Sequence, residues 1–117
     1  MLFDVLAERK MLSEADAWAR IRLALEIGNT GVARRVAEYL PAKEQPDGAT
    51  LSRIAVNPQS FLDKKAFNLK TRAGRETLMF AVQRLARSSP QIAAQHWTRL
   101  AEQVDEADRG YVWGLIA

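Results

Sequence analysis

Ser13-Glu-Ala-Asp-Ala-Trp-Ala-Arg-Ile-Arg-Leu-Ala-Leu-Glu-Ile-Gly-Asn-Thr-Gly-Val-Ala-Arg-Arg-Val-Ala-Glu-Tyr-Leu-Pro41 reads as a helical hairpin. Ser13 suits an N-cap, and Glu14 and Asp16 behind it suit the positive end of a helix dipole. Trp18, Ile21 and Leu25, with Ala17 and Ala24, recur along one stripe, which predicts a helix over about 14–27. Gly28 follows where a left-handed C′ residue closes a helix. Arg20, Arg22 and Glu26 fall off the stripe and are expected to face water. Asn29-Thr30 can cap a second helix through Val32, Val36 and Leu40, with Ala33, Ala37 and Tyr39 alongside, and Pro41 stops it. So short a link sets the two helices antiparallel and adjacent.

The same grammar runs outward from this hairpin. Pro41 to Gly48 is a loop by composition, and Asp47 or Thr50 caps a short helix carrying Leu51, Ile54 and Ala55. Asn57-Pro58 breaks it, because the residue before a proline is pushed out of the helical region. A short helix over about 59–67 would carry Phe61, Leu62 and Phe67. From Thr71 a long helix presents Leu78, Val82 and Leu85, and Ser88-Ser89-Pro90 starts another with Ala93, Trp97, Leu100 and Val104. Asp105 to Asp108 offers a cap for a last helix that the sequence leaves incomplete.

No strand pattern is present, so the class is all-α. Overlaid at an offset of 60 residues, Leu25 meets Leu85, Asn29-Thr30 meets Ser89-Pro90, and Ala33 meets Ala93. Helix hairpins over about 13–41 and 71–104, repeated in this way, suggest part of an α-superhelix or solenoid. The period of 34 that tetratricopeptide repeats require is not found.

Composition narrows the chemistry. The 117 residues are 48% hydrophobic and 26% charged, with neither a membrane-length apolar run nor a disordered composition. No cysteine is present, which excludes disulfides and thiolate metal sites. His96 is the single histidine and reads as a packed helix residue rather than a nucleophile's base. Glu102 and Asp105 make no recognisable metal site, and the six glycines are too dispersed for a phosphate loop. Glycoside cleavage needs a raised-pKa acid in a cleft, and nothing marks Glu14, Glu26, Glu38 or Glu76 as buried. Trp18, Trp97 and Trp113 sit at helical spacing with Ile and Leu and read as core.

The net charge is +3, unevenly spread. Between Lys64 and Arg99, eight basic residues stand against Glu76 alone, a local charge of +7. Lys64, Lys65, Lys70, Arg72, Arg75, Arg84 and Arg87 are the candidate polyanion face. A nucleic-acid partner is not favoured, since no aromatic is interleaved between Lys70 and Arg75 and no recognition-helix motif is present. Met-Leu-Phe-Asp at the start is not a signal peptide, and Gly110–Ala117 stops within an apolar segment, as a piece of a longer chain would.

Residues 13–41 resemble the helical superhelix, or U-shaped domain, of bacterial soluble lytic murein transglycosylases. There, pairs of the form W-x-R-x-x-x-A-L-x-x-G-[ND] and x-A-x-x-x-A-x-x-L-P recur, matched here by Trp18, Arg20, Ala24, Leu25, Gly28, Asn29, Ala33, Ala37, Leu40 and Pro41. Residues 82–97 are similar to another such pair. The resemblance implies a periplasmic parent enzyme that cleaves the glycan strands of peptidoglycan to anhydro-muramyl products, without a cofactor. Its chemistry would belong to one Glu of a separate lysozyme-like domain. That signature, Glu-Ser with a downstream Gly-Leu-Met-Gln, is absent, so no catalytic residue carries over and this chain is expected to be inactive alone. Its expected partners are the glycan strands, through the whole enzyme, and the remaining helical and catalytic domains. The basic stretch would help hold the carboxylate-bearing polymer. An α-solenoid module that binds a protein partner is the alternative.

Overall fold

The Trp18 stripe is buried where its spacing sends it, and the helices follow from there. A computed structural model describes residues 14–64 and 68–116, and within them every regular element is helical. We number the helices α1 (Glu14–Glu26), α2 (Thr30–Ala37), α3 (Gly48–Val56), α4 (Pro58–Lys64), α5 (Arg72–Ala86), α6 (Pro90–Leu100) and α7 (Glu106–Ile116). Short 3-10 turns occupy Ala42–Glu44 and Ala101–Gln103. The expected cap at Ser13, together with Lys65, Phe67, the leading Met-Leu-Phe-Asp and Ala117, lies outside the described residues.

The first hairpin ends α1 as its glycine predicts. Gly28 has φ +78°, its N–H donates to the Leu25 carbonyl at 3.0 Å, and the Asn29 N–H donates to Ala24 at 2.8 Å. Asn29 Oδ1 then accepts from the Val32 N–H at 3.1 Å and caps α2. α2 is shorter than its sequence pattern. It ends at Ala37, and a turn still carries Leu40 into the core while Tyr39 stays exposed.

α5 is the axis of the molecule. Thr71 Oγ1 accepts from the Gly74 N–H at 3.0 Å to cap it, and every residue from Glu76 to Gln83 is buried. Neighbours cover it all round, since α1, α3, α4, α6 and α7 each pack against it. Gly74 has no room for a side chain, because a Cβ there would lie 1.6 Å from the Asn68 carbonyl oxygen. Pro90 stands at the first turn of α6, and Asp105 Oδ1 accepts from the Asp108 N–H at 2.8 Å to cap α7. This last helix runs to Ile116, the last described residue, with Val112 buried in the core.

The two long hairpins have similar turns at the 60-residue offset. Glu26 and Ala86 end their helices, Asn29 and Ser89 precede the next, and the turn N–H groups of Gly28 and Ser88 donate to Leu25 and Leu85. Trp18 and Leu78, Ile21 and Ala81, Ala33 and Ala93, and Ala37 and Trp97 are buried as pairs.

Trp97 is wholly enclosed and its indole N–H has no hydrogen-bond partner, so its contribution is packing. Trp97→Ala should therefore cost about 3–5 kcal/mol in a urea titration, and a loss under about 1 kcal/mol would show that this part of the core collapses without penalty.

Asp47, the N-cap residue of α3, accepts the Thr50 hydroxyl at 2.6 Å, which holds its carboxyl below the usual value of 3.8. A depressed acid stabilises the fold above its unfolded value, and that stability is lost as pH falls through the folded value. The urea midpoint should fall more steeply between about pH 5 and pH 2 for the native protein than for Asp47→Asn, and parallel curves would remove Asp47 from the acid response.

Candidate functional site

Two features stand out on α1, on different sides of the helix. The first is polar. Arg22 reaches across to Glu76 on α5 as a fork, Nε to Oε1 at 2.8 Å and Nη2 to Oε2 at 2.7 Å. The same Nη2 donates to Asp108 Oδ1 on α7 at 2.6 Å, and the Tyr111 ring lies 4.7 Å from the guanidinium carbon. Arg72 approaches Glu76 Oε2 at 3.4 Å while stacking 5.4 Å over the Trp18 ring.

Glu26 extends the network. Its Oε1 accepts from the Tyr111 hydroxyl, and its carbonyl accepts from Gln83 at 3.3 Å and from Arg87. The hydrogen bond to Glu76 is the largest influence on Arg22 and raises its pKa. Burial, then the Glu26 carboxylate, raises that of Tyr111, so the phenol stays neutral and donates. Together these groups clasp α1, α5 and α7.

The clasp corrects three sequence expectations. Glu76 is 4% exposed rather than superficial, and Arg22 and Glu26 turn inward rather than to water. The reason is that α1 has three neighbours, so positions off its apolar stripe meet α5 and α7. Trp113, expected in the core, is 40% exposed.

The second feature is apolar. A groove of about 630 Å³ runs between α1 and α2. Leu23, Ile27 and Tyr39 line it, with Val32 and Val36 at its base and Arg20, Arg35, Glu26 and Glu38 around it. Leu23 is 63% exposed and Ile27 74%, which is unusual for two aliphatic side chains one helical turn apart. Sequence reasoning passed over the groove because it followed the Trp18–Leu25 stripe. The signal was Leu23 and Ile27 at i, i+4, off that stripe.

The expected polyanion face is dispersed over several elements. Arg72 is paired with Glu76 in the clasp. Arg75 donates to the Leu69 carbonyl at 3.1 Å, Arg84 to the Ala55 carbonyl at 3.2 Å, and Arg87 to the Glu26 carbonyl. Lys64 at the end of α4 and Lys70 before α5 are exposed. Arg84 and Arg87 thus tie the C-terminal end of α5 to the ends of α3 and α1. His96 is buried on α6, its Nδ1 3.0 Å from Arg99 Nη2 and its Nε2 3.8 Å from an Asp63 oxygen. Among the described residues no group of three metal-ligating side chains is gathered, and no helix is long and apolar enough to cross a membrane.

No family model, curated protein or solved structure matches the chain.

Removing one side of the clasp strands a charge. Arg22→Leu should cost about 2–3 kcal/mol by leaving the buried Glu76 with only its longer contact to Arg72, and Arg22→Leu with Glu76→Leu should cost clearly less than the two single changes added together. Additive costs in the double-mutant cycle would mean that the two side chains are not coupled.

Proposed function

We propose that this chain is a noncatalytic helical scaffold segment. In its finer form the reading is a piece of the superhelical domain of a periplasmic soluble lytic transglycosylase, whose chemistry lies in a lysozyme-like domain outside these 117 residues. The observation that carries it is the 60-residue register. Two hairpins with equivalent turns and paired buried positions are what a helical repeat array supplies. The likeness of residues 13–41 and 82–97 to that family's helix pairs supports the enzyme assignment. The clasp fits a scaffold too, because Glu76 and Asp108 are both tied to Arg22. In the whole protein such a segment would position the glycan strand beside the catalytic domain.

A second reading is favoured by the groove. An α-solenoid module that docks a protein partner would display an apolar furrow of this kind between paired helices.

Both readings give this chain no muralytic activity of its own. Incubated with purified sacculi, it should release no anhydro-muropeptides detectable by mass spectrometry, and their release by this chain alone would overturn the scaffold assignment. Reading the gene past the codon for Ala117 separates the two. Further helix pairs and a Glu-Ser lysozyme-like domain support the enzyme, and their absence there supports the docking module.

A further inference from the structure

Large apolar side chains left in water are few, and most of them gather in one place. Of the five that are exposed among the described residues, Leu23, Ile27 and Tyr39 line the α1–α2 groove, while Val56 and Trp113 stand apart on α3 and α7. Charge does not choose what covers them, because Arg20 already has a partner and the Glu26 carboxylate accepts from Tyr111 in the clasp. The occupant has to be recognised by its apolar surface.

The second hairpin shows where such a surface can come from. The segment just before it is α4, which buries Leu62 and packs on α5. From there Asp63 brings an oxygen to 3.8 Å from His96 Nε2 on α6. At the 60-residue offset, Leu62, Asp63 and His96 correspond to Leu2, Phe3 and Val36. The polar pair of the second hairpin thus has an apolar counterpart in the first, and Val36 lies at the base of the groove. Leu2, Phe3, Val5 and Leu6 also follow the spacing of one helical side.

Length permits the placement. The leading residues join α1 at Glu14, and Leu23 and Ile27 lie about 14 and 20 Å along the helix from there. Residues 3–13 can span about 35 Å when extended, enough to turn back over α1. A segment tethered so closely meets the groove at an effective concentration on the order of millimolar.

We propose that the α1–α2 groove is the seat of the chain's own leading segment, residues 1–12, with Leu2, Phe3 and Leu6 laid over Leu23, Ile27 and Val36. This shares the 60-residue offset with the scaffold reading, yet it can fail while the absence of muralytic activity holds.

The test is nuclear magnetic resonance on the full chain, labelled with carbon-13 and nitrogen-15. Nuclear Overhauser contacts are expected from the Phe3 ring and the Leu6 methyls to the methyls of Leu23, Ile27 and Val36. Being intramolecular, they should be unchanged from about 50 μM to 1 mM, and absent from a filtered spectrum of labelled and unlabelled chain mixed. Leu23→Glu with Ile27→Glu should weaken the Phe3–Val36 contact at least about threefold while leaving helical circular dichroism of residues 14–116 unchanged, since both side chains are already exposed. Val56→Glu, at a residue 86% exposed and outside the groove, should leave the contact as it is. A native chain without contacts between residues 1–12 and the groove overturns the proposal. Contacts seen only in the filtered spectrum overturn it too, because they give the groove to a second copy. A Phe3–Val36 contact undiminished in the double glutamate variant overturns it equally.

Discussion

A carboxylate as deeply buried as Glu76 must meet a cation and have its lone pairs filled, or the helix that carries it cannot pack. Arg22 meets both needs with a fork of hydrogen bonds, and the rest of the molecule is arranged around that requirement. α5 can be covered on every side only because its one buried acid is answered from α1. α1 can lie there only because Asp108 and Tyr111 of α7 complete the shell of the guanidinium. Helix packing of small and medium apolar residues, such as Ala17, Ala33, Ala81 and Ala93, tolerates several crossing geometries. A bidentate arginine does not, so the clasp selects one of them.

Most of the fold could be read along the chain because its cues are local. The Trp18–Leu25 spacing, Gly28, Asn29, the Asn57-Pro58 break, Thr71 and Pro90 each act within one turn of backbone, and each does so in the structure. The sites were hidden because they are not local. Arg22 meets partners 54 and 86 residues away, and nothing within either sequence neighbourhood announces the match. The placement of α7 is likewise not a local matter. Its mean character is weakly amphipathic, and its place is fixed by Val112 in the core and by Tyr111 on Glu26.

The basic stretch shows how a count of charges differs from a field. Arg75, Arg84 and Arg87 each donate to a backbone carbonyl belonging to a loop or to a helix end, the groups that a helix leaves unsatisfied. Arg84 and Arg87 do this for α3 and α1, so charges adjacent in sequence serve separate elements. Arg84 also lies over the first hairpin's turn, where a Cβ on Gly28 would come within 2.9 Å of its Nη1. The turn glycine is thus required both by its left-handed backbone and by an arginine from the opposite hairpin.

α1 therefore shows three different chemistries around one short cylinder. Trp18, Ile21 and Leu25 enter the core, Arg22 and Glu26 enter the clasp, and Leu23 and Ile27 face outward. The first two sides are satisfied within the chain. Leaving two aliphatic side chains in water forgoes roughly 1.5–3 kcal/mol apiece relative to burial, a large share of what a domain of this size has to spare. The alternation of the other sides shows that a polar residue would be accommodated at either position without disturbing core or clasp. Leu23 and Ile27 are thus the part of α1 whose apolar surface neither the core nor the clasp covers.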